Sequence, residues 1–192
     1  MQKILHDSPR IILHENRIAP VHCQYIMDFA RSRVQSAQTY GHTGERISDM
    51  MWIAHKYDSE IYQIIRRFAW RVKQKLHYAE PLQVASYGPG GKFDAHMDCY
   101  QTHTEHGAIQ VAHRGQRLVT AILYLNTVVA GGETTFPSLG ITVQPKQGDV
   151  LMFENCYPGT NEPHPLSLHE GCPVQEGEKW IATLWFREKP QR

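Results

Sequence analysis

No stretch of about 18 consecutive apolar residues occurs in the sequence, so a conventional membrane span is not expected. The opening Met1–Pro20 segment lacks the apolar run of a secretory signal and carries charges throughout, which sets the expectation of a cytoplasmic protein. Cysteine is scarce: Cys23, Cys99, Cys156 and Cys172 are the only 4, none in a C-x-x-C pair, so neither a disulfide framework nor a cysteine-based zinc site is suggested. Charge of one sign is also lacking. With 20 Lys+Arg against 19 Asp+Glu, the net +1 leaves no basic footprint for nucleic acid and no acidic tail. Linkers, repeats and low-complexity segments are absent, and 41% hydrophobic against 20% charged residues is ordinary globular usage. One domain over residues 1–192 is the economical expectation. What the chain does have is histidine: 12 of them, more than packing needs, which points toward metal or acid–base chemistry.

Residues 1–80 read mostly as helix. Pro20-Val21-His22 opens one helix to about Ser36, with Val21, Tyr25, Ile26, Phe29 and Val34 as its apolar stripe. A second runs from a cap at Asp58 or Ser59 to His77. Ile61, Ile64, Ile65, Phe68, Trp70 and Val72 supply its buried side, and Arg66, Arg67, Arg71, Lys73 and Lys75 a solvated face. Between them, Tyr40–Glu45 reads as a loop and Arg46–Trp52 as a strand. After Pro81 short apolar runs alternate with Gly/Pro punctuation: Leu82–Tyr87, Phe93–His96, Leu118–Leu125, Thr134–Phe136, Ile141–Val143, Val150–Phe153 and Trp180–Phe186. Short strands at this spacing predict an all-β sandwich or jelly-roll core over about 82–187, buttressed on one face by the helices. Cys99–Gly115, with His103, His106 and His113, reads as a long loop beside the site, in the position of a lid or substrate clamp.

One cluster has spacing suited to a metal. In His96-Met97-Asp98 an extended backbone sends residues i and i+2 to the same side, so an imidazole and a carboxylate can converge. Two ligands do not make a stable site; a third from a distant strand would complete the 2-His-1-carboxylate triad of non-haem iron(II) oxygenases, which leaves positions open for cosubstrate and O2. His169 offers that third ligand. Ten residues on, Lys179 opens the apolar strand Lys-Trp-Ile-Ala-Thr-Leu-Trp-Phe. A cation there is partly desolvated and needs an anion, which a dicarboxylate would supply.

Five motifs in order then carry a resemblance: Tyr87-x5-Phe93-x2-His96-x-Asp98; Gln116 through Asn126; Gly131-Gly132-Glu133-Thr134-x-Phe136-Pro137; Pro145-x2-Gly148-Asp149-x2-Met152-Phe153; and His169-x3-Pro173-Val174-x2-Gly177-x-Lys179-Trp180. Together they resemble the prolyl 4-hydroxylase branch of the 2-oxoglutarate/Fe(II) dioxygenases over roughly residues 82–187. The resemblance implies an α+β domain with a double-stranded β-helix core. It implies iron held by His96, Asp98 and His169, and 2-oxoglutarate held by Lys179, with Tyr87, Thr183 and Tyr124 around it. Arg117, Trp185, Phe93 and the Arg-x-Ser pair Arg46 and Ser48 match substrate-side positions. Fe(II), 2-oxoglutarate and O2 are the implied cofactor and cosubstrates, with ascorbate as reductant and succinate and CO2 as products. The implied substrate is a prolyl residue in a peptide or protein; nucleic acid and membrane partners are not implied, and the oligomeric state is open. Phe93 departs from the tyrosine frequent in the peptidyl enzymes, so a free amino acid or other small molecule stays open as substrate. A non-catalytic binding domain and a zinc hydrolase on the same ligands are further alternatives; neither uses Lys179.

Overall fold

The computed structural model describes residues 1–37 and 45–191. The chain opens with a hairpin, β1 (Gln2–Asp7) and β2 (Arg10–His14), followed by α1 (Pro20–Arg31). Then come β3 (Gln35–Ser36), β4 (Arg46–Ile47), β5 (Asp49–Ile53), α2 (Ser59–Arg71), β6 (Leu82–Tyr87) and β7 (Lys92–His96). Next are α3 (Glu105–Arg114), β8 (Arg117–Tyr124), β9 (Ala130–Gly131), β10 (Thr134–Phe136), β11 (Ile141–Val143) and β12 (Val150–Glu154). The chain finishes with β13 (His169–Gly171), β14 (Val174–Glu176) and β15 (Lys179–Arg187). The larger sheet runs β1-β2-β12-β8-β15-β6-β5-β3, the smaller β11-β10-β13-β7-β4, and β9 pairs with β14. Together the sheets form the expected double-stranded β-helix. Among the described residues no helix is long and apolar enough to cross a membrane.

Strand periodicity divides the core. Along β15, Trp180, Ala182, Leu184 and Phe186 face the helices, where they join Ile26, Ile61, Ile64 and Phe68 in one apolar cluster. Ile181 joins a second cluster with Tyr87, Ile122, Tyr124, Phe136 and Phe153. Every residue of β15 is buried, so this strand is covered on both faces. Its alternate residues Lys179, Ile181, Thr183 and Trp185 line a cavity between the sheets. A strand wholly inside the protein is a stiff mount for a site.

Several N-terminal expectations change. Residues 1–80 are not chiefly helical, because five strands lie there beside α1 and α2. In β2 both Ile11 and Ile12 are buried, since Ile12 packs into the cluster with the helices and Ile11 into the one between the sheets, so the strand is covered on both faces. That erases the alternation by which a half-exposed strand is recognised. The first helix stops at Arg31, not Ser36, and Gln35 pairs with Met50 instead. Its buried residues are Cys23, Ile26, Met27 and Ala30, whereas Val21 and Tyr25 are exposed. The second helix is capped by Asp58, whose side chain accepts from the Glu60 and Ile61 N–H groups at 3.0 and 2.9 Å. It ends at Arg71, short of His77, and Lys73 takes a φ of 57°, the left-handed conformation that terminates helices. Ile61, Ile64, Ile65 and Phe68 hold the buried stripe, with Val72 buried beyond it, which leaves Trp70 on the outer side, 69% exposed. The expected strand at Arg46–Trp52 is split into β4 and β5, in different sheets. The loop expected at Tyr40–Glu45 lies outside the described residues except for Glu45. Cys99–Gly115 is not a plain loop but carries α3, capped by Thr104 Oγ1 and closed by Gly115 at φ 75°. It has no buried apolar stripe to mark it: Ile109 is exposed, and only Gly107 of the helix is buried.

Candidate active site

The two histidines are brought together by strand pairing. β13 runs antiparallel to β7, and His169 lies directly opposite His96. Asp98 follows just past the end of β7. Its Oδ1 is 3.6 Å from His96 Nε2 and its Oδ2 is 3.7 Å from His169 Nε2. One ligand atom from each residue falls within 4.8 Å of the others, and all three residues are buried; this set could hold a metal ion. The ring tautomers favour it. His96 Nδ1 donates to the Asp94 carbonyl at 2.8 Å and His169 Nδ1 to the Ser167 carbonyl at 3.0 Å. A carbonyl can only accept, so each Nδ1 carries the proton and each Nε2 presents its lone pair to the centre.

Asp98 is oriented by residues far away in sequence. The Thr120 hydroxyl donates to Asp98 Oδ2 at 2.6 Å and accepts from Asn155 Nδ2 at 2.8 Å. Burial pushes the Asp98 carboxyl upward, but positive charge at the centre, from the His169 and His96 rings when they are protonated and from the Arg117 guanidinium, outweighs it and holds the group well below the ordinary range. The site residue therefore stays ionised. Thr120 and Asn155 were not legible as site residues; the only signal was a hydroxyl at a buried position in the apolar strand Leu118–Leu125.

Lys179 is 3% exposed and forms no ion pair with the described residues. Burial lowers its ammonium to about 8, with Cys172 and Glu133 pulling back only weakly. Asn126 anchors the strand start on both sides of it, accepting from Trp180 N–H and donating to the Glu178 carbonyl, each at 2.7 Å. Lys179, Tyr87, Thr183, Phe93, Trp185 and Arg46 line the same cavity as the three metal-binding candidates. Tyr124 does not. It is fully buried and donates its hydroxyl to Thr134 Oγ1 at 2.9 Å, and Thr134 in turn lines the cavity.

On the outward side, Phe93 stacks on the His96 ring at 3.6 Å, and the Arg46 guanidinium lies 4.9 Å from the Phe93 ring. Ser48 is not a cavity residue; its hydroxyl accepts from Arg46 Nε at 2.8 Å and aims that side chain, which Gln83 also holds at 3.2 Å. Arg117 is buried and bound through two nitrogens to Glu80, at 2.6 and 2.8 Å, with its guanidinium 4.1 Å from the Trp185 ring. Arg187 shares the same carboxylate at 3.0 Å. Desolvation would raise Glu80, yet the two arginines hold it below its ordinary value. Beyond these residues an outer cavity of about 400 Å³ opens, bounded by Trp52, Trp185, Tyr100 and α3. Of the three histidines expected in this region, only His106 lines it.

Residues 82–187 match the model of the 2OG-Fe(II) oxygenase superfamily. A putative prolyl 4-hydroxylase of Acanthamoeba polyphaga mimivirus is 37% identical over 186 residues, covering 96% of this chain and 76% of that protein. The chain belongs to the prolyl 4-hydroxylase family. Among its members, the probable prolyl 4-hydroxylase 4 of Arabidopsis thaliana is 32% identical, with 96% of this chain and 69% of that one aligned. The viral collagen prolyl hydroxylase vCPH from Paramecium Bursaria Chlorella virus-1, solved as its 2OG complex, superposes with a TM-score of 0.69 at 27% identity, covering 91% of this chain and 94% of that one. As a 2OG-Fe(II) dioxygenase, this prolyl 4-hydroxylase family member uses Fe(II), 2-oxoglutarate and O2. Its residues fit those groups: two Nε2 lone pairs and an ionised carboxylate suit iron(II), and a buried ammonium lacking a carboxylate partner suits a dicarboxylate.

Proposed function

We propose that the protein hydroxylates a prolyl residue within a peptide or protein. The observation that carries this reading is the join between two spaces. The inner cavity, with the His96–Asp98–His169 set and Lys179, shares Arg46, Gln83, Phe93, Asp98 and Trp185 with the open outer cavity. An extended peptide can lie in the outer space and send one side chain inward; the names of the relatives support proline as that side chain.

In this reading His96, Asp98 and His169 hold iron, and Lys179 pairs with the distal carboxylate of 2-oxoglutarate, which Thr183 and Tyr87 flank. Bound iron and cosubstrate supply an oxidant that inserts one oxygen into a C–H bond, with succinate and CO2 released; ascorbate keeps the iron reduced. The chain's part is positional. Phe93 and Trp185 wall the reacting carbon away from water, and the Thr120–Asn155 pair keeps Asp98 in a single orientation. Phe93 offers no hydroxyl, so the proline must be held by shape against Trp185 and by Arg46. A smaller substrate, a free amino acid, is the second reading, favoured by that missing hydroxyl. Succinate release measured alongside mass spectrometry for the gain of one oxygen, over proline-containing peptides and free amino acids, separates the two. Turnover with the free amino acids alone would overturn the peptide reading, and no turnover with any of them would favour a binding role.

A further inference from the structure

The outer cavity has two unlike walls. On one side Trp52 and Trp185 stand with ring centroids 5.6 Å apart. On the other are His106, Gln110 and Arg114, four residues apart along α3, so that they form one polar ridge. At 1.5 Å rise per residue the ridge is about 12 Å long, the reach of roughly four residues of extended chain.

The ridge is fastened to the body of the protein. Arg187 Nη2 donates to the Gln110 carbonyl at 3.0 Å, Lys189 Nζ to that of Ala112 at 2.8 Å, and Gln191 Nε2 to that of Arg114 at 3.2 Å. Thr104 caps the other end. A helix held at both ends can present side chains at fixed positions. Its charge also stands unanswered. Arg117 on the cavity floor has its counter-charge in Glu80, which Arg187 shares. Arg46 is turned inward by Ser48 and Gln83. Arg114 is exposed at the rim and makes no ion pair among the described residues, while its backbone alone serves the fastening.

We propose that this ridge reads a carboxylate on the substrate: the preferred peptide carries an acidic group flanking the hydroxylated position, and Arg114 is a specificity-determining residue. The inference rests on the peptide reading above. A side-chain carboxylate and a chain terminus present the same chemistry to Arg114.

The test uses fluorescent proline-containing peptides with Glu, Gln or Lys at one flanking position, each with a free or an amidated C-terminus. Binding is followed by anisotropy on the full chain loaded with Zn(II) and N-oxalylglycine, and hydroxylation is measured in parallel with Fe(II) and 2-oxoglutarate. The wild type should bind an acidic peptide about three- to fivefold more tightly than its neutral isostere, the size expected of a solvent-accessible charge pair, and salt should erode the difference. Arg114→Gln should flatten the ranking and Arg114→Glu should turn it toward the Lys peptide. If amidation removes the preference, the carboxylate read is the chain terminus; if the Glu-to-Gln change removes it, a side chain is read. Equal binding of all peptides by the wild type, or an unchanged ranking in Arg114→Glu, overturns the proposal. Hydroxylation without charge preference sinks the ridge alone. A charge-ranked binding series with no hydroxylated proline sinks the prolyl reading and leaves the ridge standing.

Discussion

Replacing Lys179 by methionine separates what the ammonium costs the fold from what it contributes to binding. The side chain is buried without an ion-pair partner among the described residues, and its ammonium titrates at about 8 against an ordinary 10.5. At 1.36 kcal/mol per pKa unit, the charged form costs the ligand-free fold roughly 3 kcal/mol near neutrality. Methionine has similar length and no charge, so Lys179→Met should raise the melting temperature of the ligand-free protein by on the order of 5–10 °C. The sign with pH follows from linkage. Between about 8 and 10.5 the unfolded chain holds the Lys179 proton and the folded one does not, so wild-type stability from this group rises with pH across that window. The advantage of methionine is therefore full below about 8 and fades to nothing near 10.5. With 2-oxoglutarate the gap closes. At a hundredfold excess over Kd the wild type gains about 2.7 kcal/mol from the ligand. The variant has lost one partner of a buried charge pair and should bind about 30- to 1000-fold more weakly. Thermal melts with Mn(II), with and without 2-oxoglutarate, at neutral and alkaline pH, measure all of this. A variant less stable than wild type without ligand, or one keeping the full 2-oxoglutarate-induced shift, would refute the assignment.

His96→Ala and Asp98→Ala should each lose iron binding and succinate release, with activity falling at least about 100-fold; retained iron-dependent turnover in either removes the proposed ligand set. Thr120→Val keeps the shape but strips Asp98 of its hydrogen bond and leaves Asn155 Nδ2 without an acceptor. Iron affinity by competitive chelation should drop about 10- to 100-fold while the 2-oxoglutarate KM moves little, and an unchanged affinity would show that Asp98 needs no support. Glu80→Gln leaves Arg117 and Arg187 buried against a neutral amide and should cost about 3–5 kcal/mol in denaturant unfolding. Because the Glu80 carboxyl is depressed in the fold, wild-type stability from it is present above the ordinary 4.5 and lost as pH falls through the lower folded value; Glu80→Gln should show no such acid-side loss, and parallel acid profiles would refute the pairing.

Much of the β core could be read from residue order. Leu82–Tyr87, Thr134–Phe136 and Ile141–Val143 fall where expected, because each apolar run is short and bounded by Gly, Pro or polar residues. β2 was not legible, since a strand covered on both faces loses its alternation. Nor was α3, whose few buried residues leave no stripe to count.

By itself the sequence determined the dioxygenase family, the candidate ligands and the buried cation, for these are matters of residue type, order and spacing along single strands. Along β15 the period of two was enough to send Lys179, Thr183 and Trp185 to one face. The tertiary structure decided everything that depends on which strand lies beside which. The pairing of β7 with β13 sets His96 opposite His169, and Thr120 reaches Asp98 from 22 residues away. Tyr124 hands its hydroxyl to Thr134 at the cavity wall, and α3 stands across from Trp52. Periodicity states which face a side chain takes; it carries no information about the neighbour on that face, which only the closed fold supplies.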